Sequence, residues 1–276
     1  MEMKQTYSIS HLTLLKLTPP QLIYVADQAG YDFVSLRTIC MNLGNEPDYS
    51  LADNAVLYKE TKEAFENTTI QFLDVELAKI YEGMDLVKYE REMEIAATLG
   101  AKHVISSIWT EDKTFAIEQY ERLCEIASQY NMSVDLEAVP ISSVKTIAGI
   151  RHILEQTNAS NKGLLVDIHH FHRSREPISE LHSIPDEWVH FIHLCDAQLS
   201  IPTSEEEMRR ILREERLYIG EGGIDIHSIV NALPNVPMSI ETPNLERSNK
   251  MKPEQFALNC LQSAKAYFNN KYREIG

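Results

Sequence analysis

Positive charge is what this chain has least of: 26 lysines and arginines face 41 aspartates and glutamates, for a formal net charge of −15. Affinity for a phosphate backbone is built on clustered cations that release counterions, so the deficit excludes nucleic acid as a partner. Cysteine is scarce too. Cys40, Cys124, Cys195 and Cys260 stand far apart with no CxxC spacing, which excludes a zinc ribbon or a disulfide scaffold and leaves reduced thiols. No window approaches the roughly 18 apolar residues of a membrane span. The N-terminus, MEMKQTYSIS, lacks the basic start and apolar core of a signal peptide. The expectation is a cytoplasmic protein with no membrane partner; a homo-oligomer is compatible with the composition. Also missing is a glycine-rich phosphate loop after the first apolar run, which disfavours an open dinucleotide-binding sheet.

What is present is a regular alternation. Strand-type runs are expected at 7–14, 33–38, 70–77, 103–108, 133–139, 164–168, 188–194 and 238–242, and helical patterns fill most of the intervals between them. Thr18, Pro19 and Gly30 punctuate the first helix as N-cap, first helical residue and stop. The segment 201–223 reads as a polar insertion, and Asp225 as the N-cap of a short helix after it. Parallel strands joined by helical crossovers close most economically into a (β/α)8 TIM barrel, a fold of about 250 residues. One such domain is expected over residues 1–276.

Four of the apolar runs stop on groups that bind cations. SVDLEAVP ends at Glu137, GLLVDIHHFHR at Asp167 and His170, WVHFIHLCD at His193 and Asp196, and PMSIETP at Glu241. A parallel strand buried on both faces should be continuously apolar, so these carboxylates carry a cost that packing does not repay. All C-terminal strand ends of a TM barrel meet on one face, where active sites form. Two carboxylates about 4 Å apart repel by roughly 4 kcal/mol at an effective dielectric near 20, so three of them require a cation. Oxygen ligands with one imidazole suit Mn²⁺, Mg²⁺ or Co²⁺, with Zn²⁺ or Fe²⁺ also accommodated. Taken singly, each has a plainer role open to it: His170 as a structural histidine, His169 and His172 facing solvent or supporting the site, and Asp196 orienting a neighbour.

The set of Glu137, the DxxH of Asp167 and His170, the HxxD of His193 and Asp196, the GEG turn at Gly220–Gly222 with Ile224 and Asp225, and Glu241 resembles the xylose isomerase-like barrels. That family includes sugar phosphate isomerases and epimerases, ketose 3-epimerases, inosose dehydratases and isomerases, dehydroshikimate dehydratases and apurinic-site endonucleases. The resemblance implies one divalent ion (Mn²⁺, Mg²⁺, Co²⁺ or Zn²⁺) held by Glu137, Asp167, His193 and Glu241, with Glu137 and Glu241 also the acid/base pair and His170 a substrate contact. The endonuclease branch carries a DxH metal pair ahead of its GEG turn, where this chain has Glu214 and Arg216. An arginine does not ligate a metal, which with the negative net charge argues against DNA repair.

The implied chemistry is isomerisation or epimerisation of a small polyhydroxy ketone or sugar through a metal-stabilised enediolate, with a dehydratase or a non-catalytic binding barrel as alternatives. Arg37, Arg173 and Arg216 are candidates to read a carboxylate or phosphate on that substrate. Glu76, at the end of the third run, is a further polar candidate. His11 and Trp109 end two other runs as pocket wall or packing.

Overall fold

In the computed structural model, which describes residues 5–41 and 46–271, eight parallel strands close into a barrel in sequence order. They are β1 (Tyr7–Ile9), β2 (Phe33–Leu36), β3 (Gln71–Ile80), β4 (His103–Ile108), β5 (Ser133–Glu137), β6 (Lys162–Asp167), β7 (Ile192–Leu194) and β8 (Met238–Ile240). The helices are α1 (Pro19–Ala29), α2 (Ala55–Glu66), α3 (Leu86–Thr98), α4 (Lys113–Ser128), α5 (Ile147–Gln156), α6 (Ile168–Arg173), α7 (Glu205–Glu214), α8 (Ile226–Asn231), α9 (Leu245–Lys250) and α10 (Pro253–Lys271). The (β/α)8 TIM barrel expected from the alternation is the fold observed.

Several boundaries move for local reasons. The first run stops at Ile9 because the Ser10 hydroxyl accepts from Leu12 N and starts a 3₁₀ turn over His11–Leu14. The seventh run loses its first half to a 3₁₀ turn at Asp186–Trp188 behind Pro185. The third extends to Ile80, with an irregular register against β4 between Val75 and Ala78. The polar insertion contains α7, whose buried face is Met208, Ile211 and Leu212 at helical spacing.

Inside the barrel, residues two apart along a strand share a face, and this sorts the interior into layers. An apolar layer of Leu73, Ile105, Leu165 and Phe191 crosses the middle. Two residues further along β6 and β7 stand Asp167 and His193. Two residues back from Ile105 and Leu165 stand His103 and Gly163, beside Asp135 of β5. One apolar layer thus separates two polar clusters, and the Phe191 ring touches a histidine of each, 5.4 Å from His103 and 5.9 Å from His193 by centroid.

Candidate metal centre and active site

Each of the four expected ligands reaches the C-terminal face with its side chain buried. Asp167 is the last residue of β6 and also the N-cap of α6, where Oδ1 accepts from His170 N at 3.1 Å; this leaves Oδ2 for the interior. Glu241 follows β8, and its Oε1 accepts from Ser10 Oγ at 2.9 Å, which turns Oε2 inward. The ring of His193 on β7 sits at the centre. Its Nδ1 lies 3.5 Å from Glu137 Oε1, 3.8 Å from Asp167 Oδ2 and 3.5 Å from Glu241 Oε2.

These separations are too long for hydrogen bonds. Neither His193 nitrogen nor Glu137 Oε1 has a hydrogen-bond partner, although all three atoms are buried. Ligand atoms about 2.1 Å from a common ion lie about 3.4 Å apart at tetrahedral angles and about 3.0 Å apart at octahedral ones. The spacing, the donor set and the orphaned buried atoms therefore fit a divalent cation.

The electrostatics point the same way. Burial alone would lower the His193 pKa, but the carboxylates of Glu241, Asp167 and Glu137 raise it well above the usual value. Burial would lift Asp167 and Glu241, yet Arg216 with His170 and His193 hold Asp167 well below the carboxylate range, and His193 with Arg216 bring Glu241 to about 2. Both carboxylates are ionised at neutral pH, in a cage that favours positive charge.

Arg216 is the deepest cation of the site. Its guanidinium donates to Asp167 Oδ2 at 2.7 Å from Nη1 and to Glu241 Oε2 at 2.9 Å from Nη2, and Nε donates to Leu212 O. Such a two-carboxylate clamp fixes the relative position of Asp167 and Glu241. His170 lines the same cavity, with Nδ1 3.5 Å from Asp167 Oδ2. Glu76 and Arg37 line it as a pair, with Arg37 Nη2 2.7 Å from Glu76 Oε2. Arg173 is not brought to the cavity: it is buried on α6, its Nη1 2.6 Å from His172 Nδ1. His169 does not face solvent but is wholly buried. Trp109 lines the cavity, whereas His11 packs, stacked on Tyr49 with Nδ1 accepting from Arg37 N.

Asp196 has a different task. Its carboxylate accepts from the backbone N–H groups of Ala197, Gly220, Gly222 and Ile224, which shapes the GEG turn rather than offering a ligand. A Cβ at Gly222 would lie 2.2 Å from Ala197 O and 2.3 Å from Asp196 Oδ1, so the turn requires glycine there. Asp225 caps α8 as expected. Residues that the sequence reading passed over are Ser10, whose hydroxyl joins Glu76 to Glu241, and Glu46 with Arg213 at the cavity mouth. Ser10 closes a short strand and Glu46 lies in a loop, so neither carries a periodic signal.

Fold and rim together define a TIM barrel with a buried carboxylate–imidazole cage at its C-terminal face, spaced to fit a divalent cation. The chain belongs to the xylose isomerase-like TIM barrel family, which it matches over residues 23–263. It is 24% identical to an inosose isomerase of Bacillus velezensis over 262 residues, covering 89% of this chain and 88% of that protein. A crystal structure of the IolI protein with a bound zinc atom superposes with a TM-score of 0.80 at 21% identity, over 95% of this chain and 98% of that one. A D-allulose 3-epimerase from Methylomonas sp., solved with D-allulose, gives a TM-score of 0.66 at 14% identity, over 96% and 97% of the two chains.

Proposed function

We propose that the protein is a divalent-metal-dependent isomerase or epimerase of a small polyhydroxy ketone. The observation that carries this reading is the pair Glu137 and Glu241, each with one oxygen 3.5 Å from the same nitrogen of His193 and both lining one cavity. Two carboxylates facing one small space suit removal of a proton from the carbon beside a carbonyl and its return to the neighbouring carbon or the opposite face. The names of the inosose isomerase relative and the epimerase neighbour support the same class.

In this reading Glu137, Asp167, His193 and Glu241 hold the ion. When bound, a divalent ion there would draw electron density from a carbonyl oxygen and acidify the adjacent C–H. One glutamate, ionised, takes the proton while the other, protonated, supplies one, both from the walls of the same cavity. Arg216 keeps Asp167 and Glu241 in register, and Ser10 holds Glu241 Oε1 so that Oε2 faces inward. His170 contacts a substrate hydroxyl, and the Arg37–Glu76 pair borders the far side of the space. The apolar wall, including Leu77, Ile105 and Trp109, excludes water from it.

The test is incubation of the metal-loaded protein with an inosose and with a ketohexose in D₂O. Isomerisation or epimerisation should return product and substrate carrying solvent deuterium at one carbon, with no change in oxygen content. A product lighter by one water would make the protein a dehydratase. No exchange into any ketose would leave a binding protein.

A further inference from the structure

Three guanidinium groups line the cavity, those of Arg37, Arg213 and Arg216, and each already has carboxylate partners. Arg216 is taken by Asp167 and Glu241. Arg37 donates from Nε and Nη2 to Glu76 Oε2, at 3.0 and 2.7 Å. The remaining valence is met by Glu46. Its Oε1 accepts from Arg37 Nη1 at 3.3 Å and from Arg213 Nη1 at 2.5 Å, so one carboxylate neutralises the two outermost cations.

Glu46 comes from the connection between β2 and α2, whereas Arg213 lies on α7 between β7 and β8; their bond joins segments 167 residues apart in sequence at the cavity mouth. The Glu46 side chain is only 7% exposed, so it stands in the approach rather than in solvent. Arg173 does not line the cavity, and Lys79 places its ammonium 3.9 Å from the centre of the Trp109 ring. Among the described residues lining the cavity, every arginine already has a carboxylate partner, and none is left unpaired for an incoming anion.

We propose that Glu46 is a specificity-determining residue that occupies Arg37 and Arg213 and so restricts the site to uncharged polyhydroxy ketones, against phosphorylated or carboxylated ones. This rests on reading the cavity as the active site. An anionic substrate must either displace Glu46 from both arginines or sit beside its like charge, and both oppose binding. A neutral ketone meets neither obstacle, since its hydroxyls hydrogen-bond to groups that remain ion-paired.

The experiment uses sulfate as an anionic probe that needs no turnover, titrated calorimetrically into the metal-loaded protein. Removing the competing carboxylate with Glu46→Gln should tighten sulfate binding at least about tenfold, the equivalent of one good charge-assisted contact. Glu46→Asp, which keeps the charge, should bind sulfate as weakly as the wild type. Equal sulfate affinity in wild type and Glu46→Gln would overturn the proposal, as would an equal gain in Glu46→Asp, which would trace the effect to a loosened loop. A second measurement needs no variant: the wild type should bind a cyclic polyol more tightly than its monophosphate, and the reverse order would also overturn it. Sulfate and polyol binding are read without catalysis, so failure of the isomerase reading in the deuterium experiment is distinguishable from failure here.

Discussion

The barrel interior holds a histidine–carboxylate cluster at each end, and the two differ in spacing. At the N-terminal end His190 Nδ1 lies 2.6 Å from Asp135 Oδ1, Ser133 Oγ lies 2.5 Å from Asp135 Oδ2, and His103 Nδ1 lies 2.7 Å from Ser133 Oγ. At the C-terminal end the contacts to His193 run from 3.5 to 3.8 Å, and its ring nitrogens have no hydrogen-bond partners. The same residue types thus make a closed hydrogen-bonded clasp in one place and an open cage in the other. Residue type alone does not separate the two; what distinguishes the cage is that both His193 nitrogens and Glu137 Oε1 are buried without hydrogen-bond partners.

The reason lies in what surrounds each cluster. The clasp is pressed together: a Cβ at Gly163 would lie 2.2 Å from Asp135 Oδ1 and 2.7 Å from His190 Nδ1, so only glycine allows the approach. The cage is held open, because Ser10, Arg216 and the N-terminus of α6 each take a carboxylate oxygen and fix its direction. Phe191 lies between them and keeps the two from merging.

If the cage does the chemistry and the clasp holds the fold, substitutions should separate cleanly. The largest effect belongs to the cage. Glu137→Gln and Glu241→Gln should each lower turnover by about 10²- to 10⁴-fold, the usual cost of a lost acid or base, with melting temperature nearly unchanged. For an epimerase, one of the pair should still exchange the α-proton of one epimer with D₂O. Steady-state rates and exchange followed by NMR check both statements, and wild-type rates in both variants would move the proton carriers elsewhere.

The clasp should answer in stability instead. Asp135→Ala leaves the partly exposed His103 and His190 without their carboxylate and should cost about 1.5–3 kcal/mol, the range for a hydrogen bond to a charged group, with metal content retained. Chemical denaturation measures the loss. Phe191→Ala should cost about 3–5 kcal/mol by opening a cavity, and it alone should disturb both clusters.

A smaller effect is the pH dependence of the clasp. Burial would raise Asp135, but its bonds to His103 and His190 hold it well below the carboxylate range; burial would lower His190, but Asp135 raises it. A depressed carboxylate stabilises the fold above its unfolded pKa of about 3.9 and loses that contribution as pH falls through its folded value. A raised histidine contributes fully below its unfolded pKa of about 6.5 and loses the contribution as pH rises through its folded value. The stability difference between wild type and His190→Gln should therefore peak between about pH 4 and 6.5 and shrink on either side. A flat difference would remove the ion pair from the account.

The cage was legible in the sequence because a charge at the end of a buried strand is conspicuous against Val, Ile and Leu. Glu137, Asp167, His193 and Glu241 each interrupt such a run, and the barrel brings strand ends together whatever the loops do. The clasp was not read, although Asp135 stands two residues before Glu137 on the same face of β5. Its partners His103 and His190 sit where strands begin, and only the stagger of the closed sheet brings them together. Arg216 stands out in the sequence as a cation ahead of the GEG turn, but its grip on Asp167 and Glu241 depends on the closed sheet placing the ends of β6 and β8 on either side of β7. Buried Arg173 shows the limit of proximity in sequence: three residues from His170 on α6, it lies against His172 and does not line the cavity. The apolar triplet of α7 was present at helical spacing, masked by the glutamates and arginines around it.

The central claim is that the C-terminal cage holds one divalent cation and the N-terminal clasp holds none. Elemental analysis of protein purified without chelator, for wild type, His193→Ala and His190→Ala, tests it most directly. The account predicts one ion per chain in the wild type and in His190→Ala, and loss of that ion in His193→Ala. An ion that survives His193→Ala and departs with His190→Ala would contradict it.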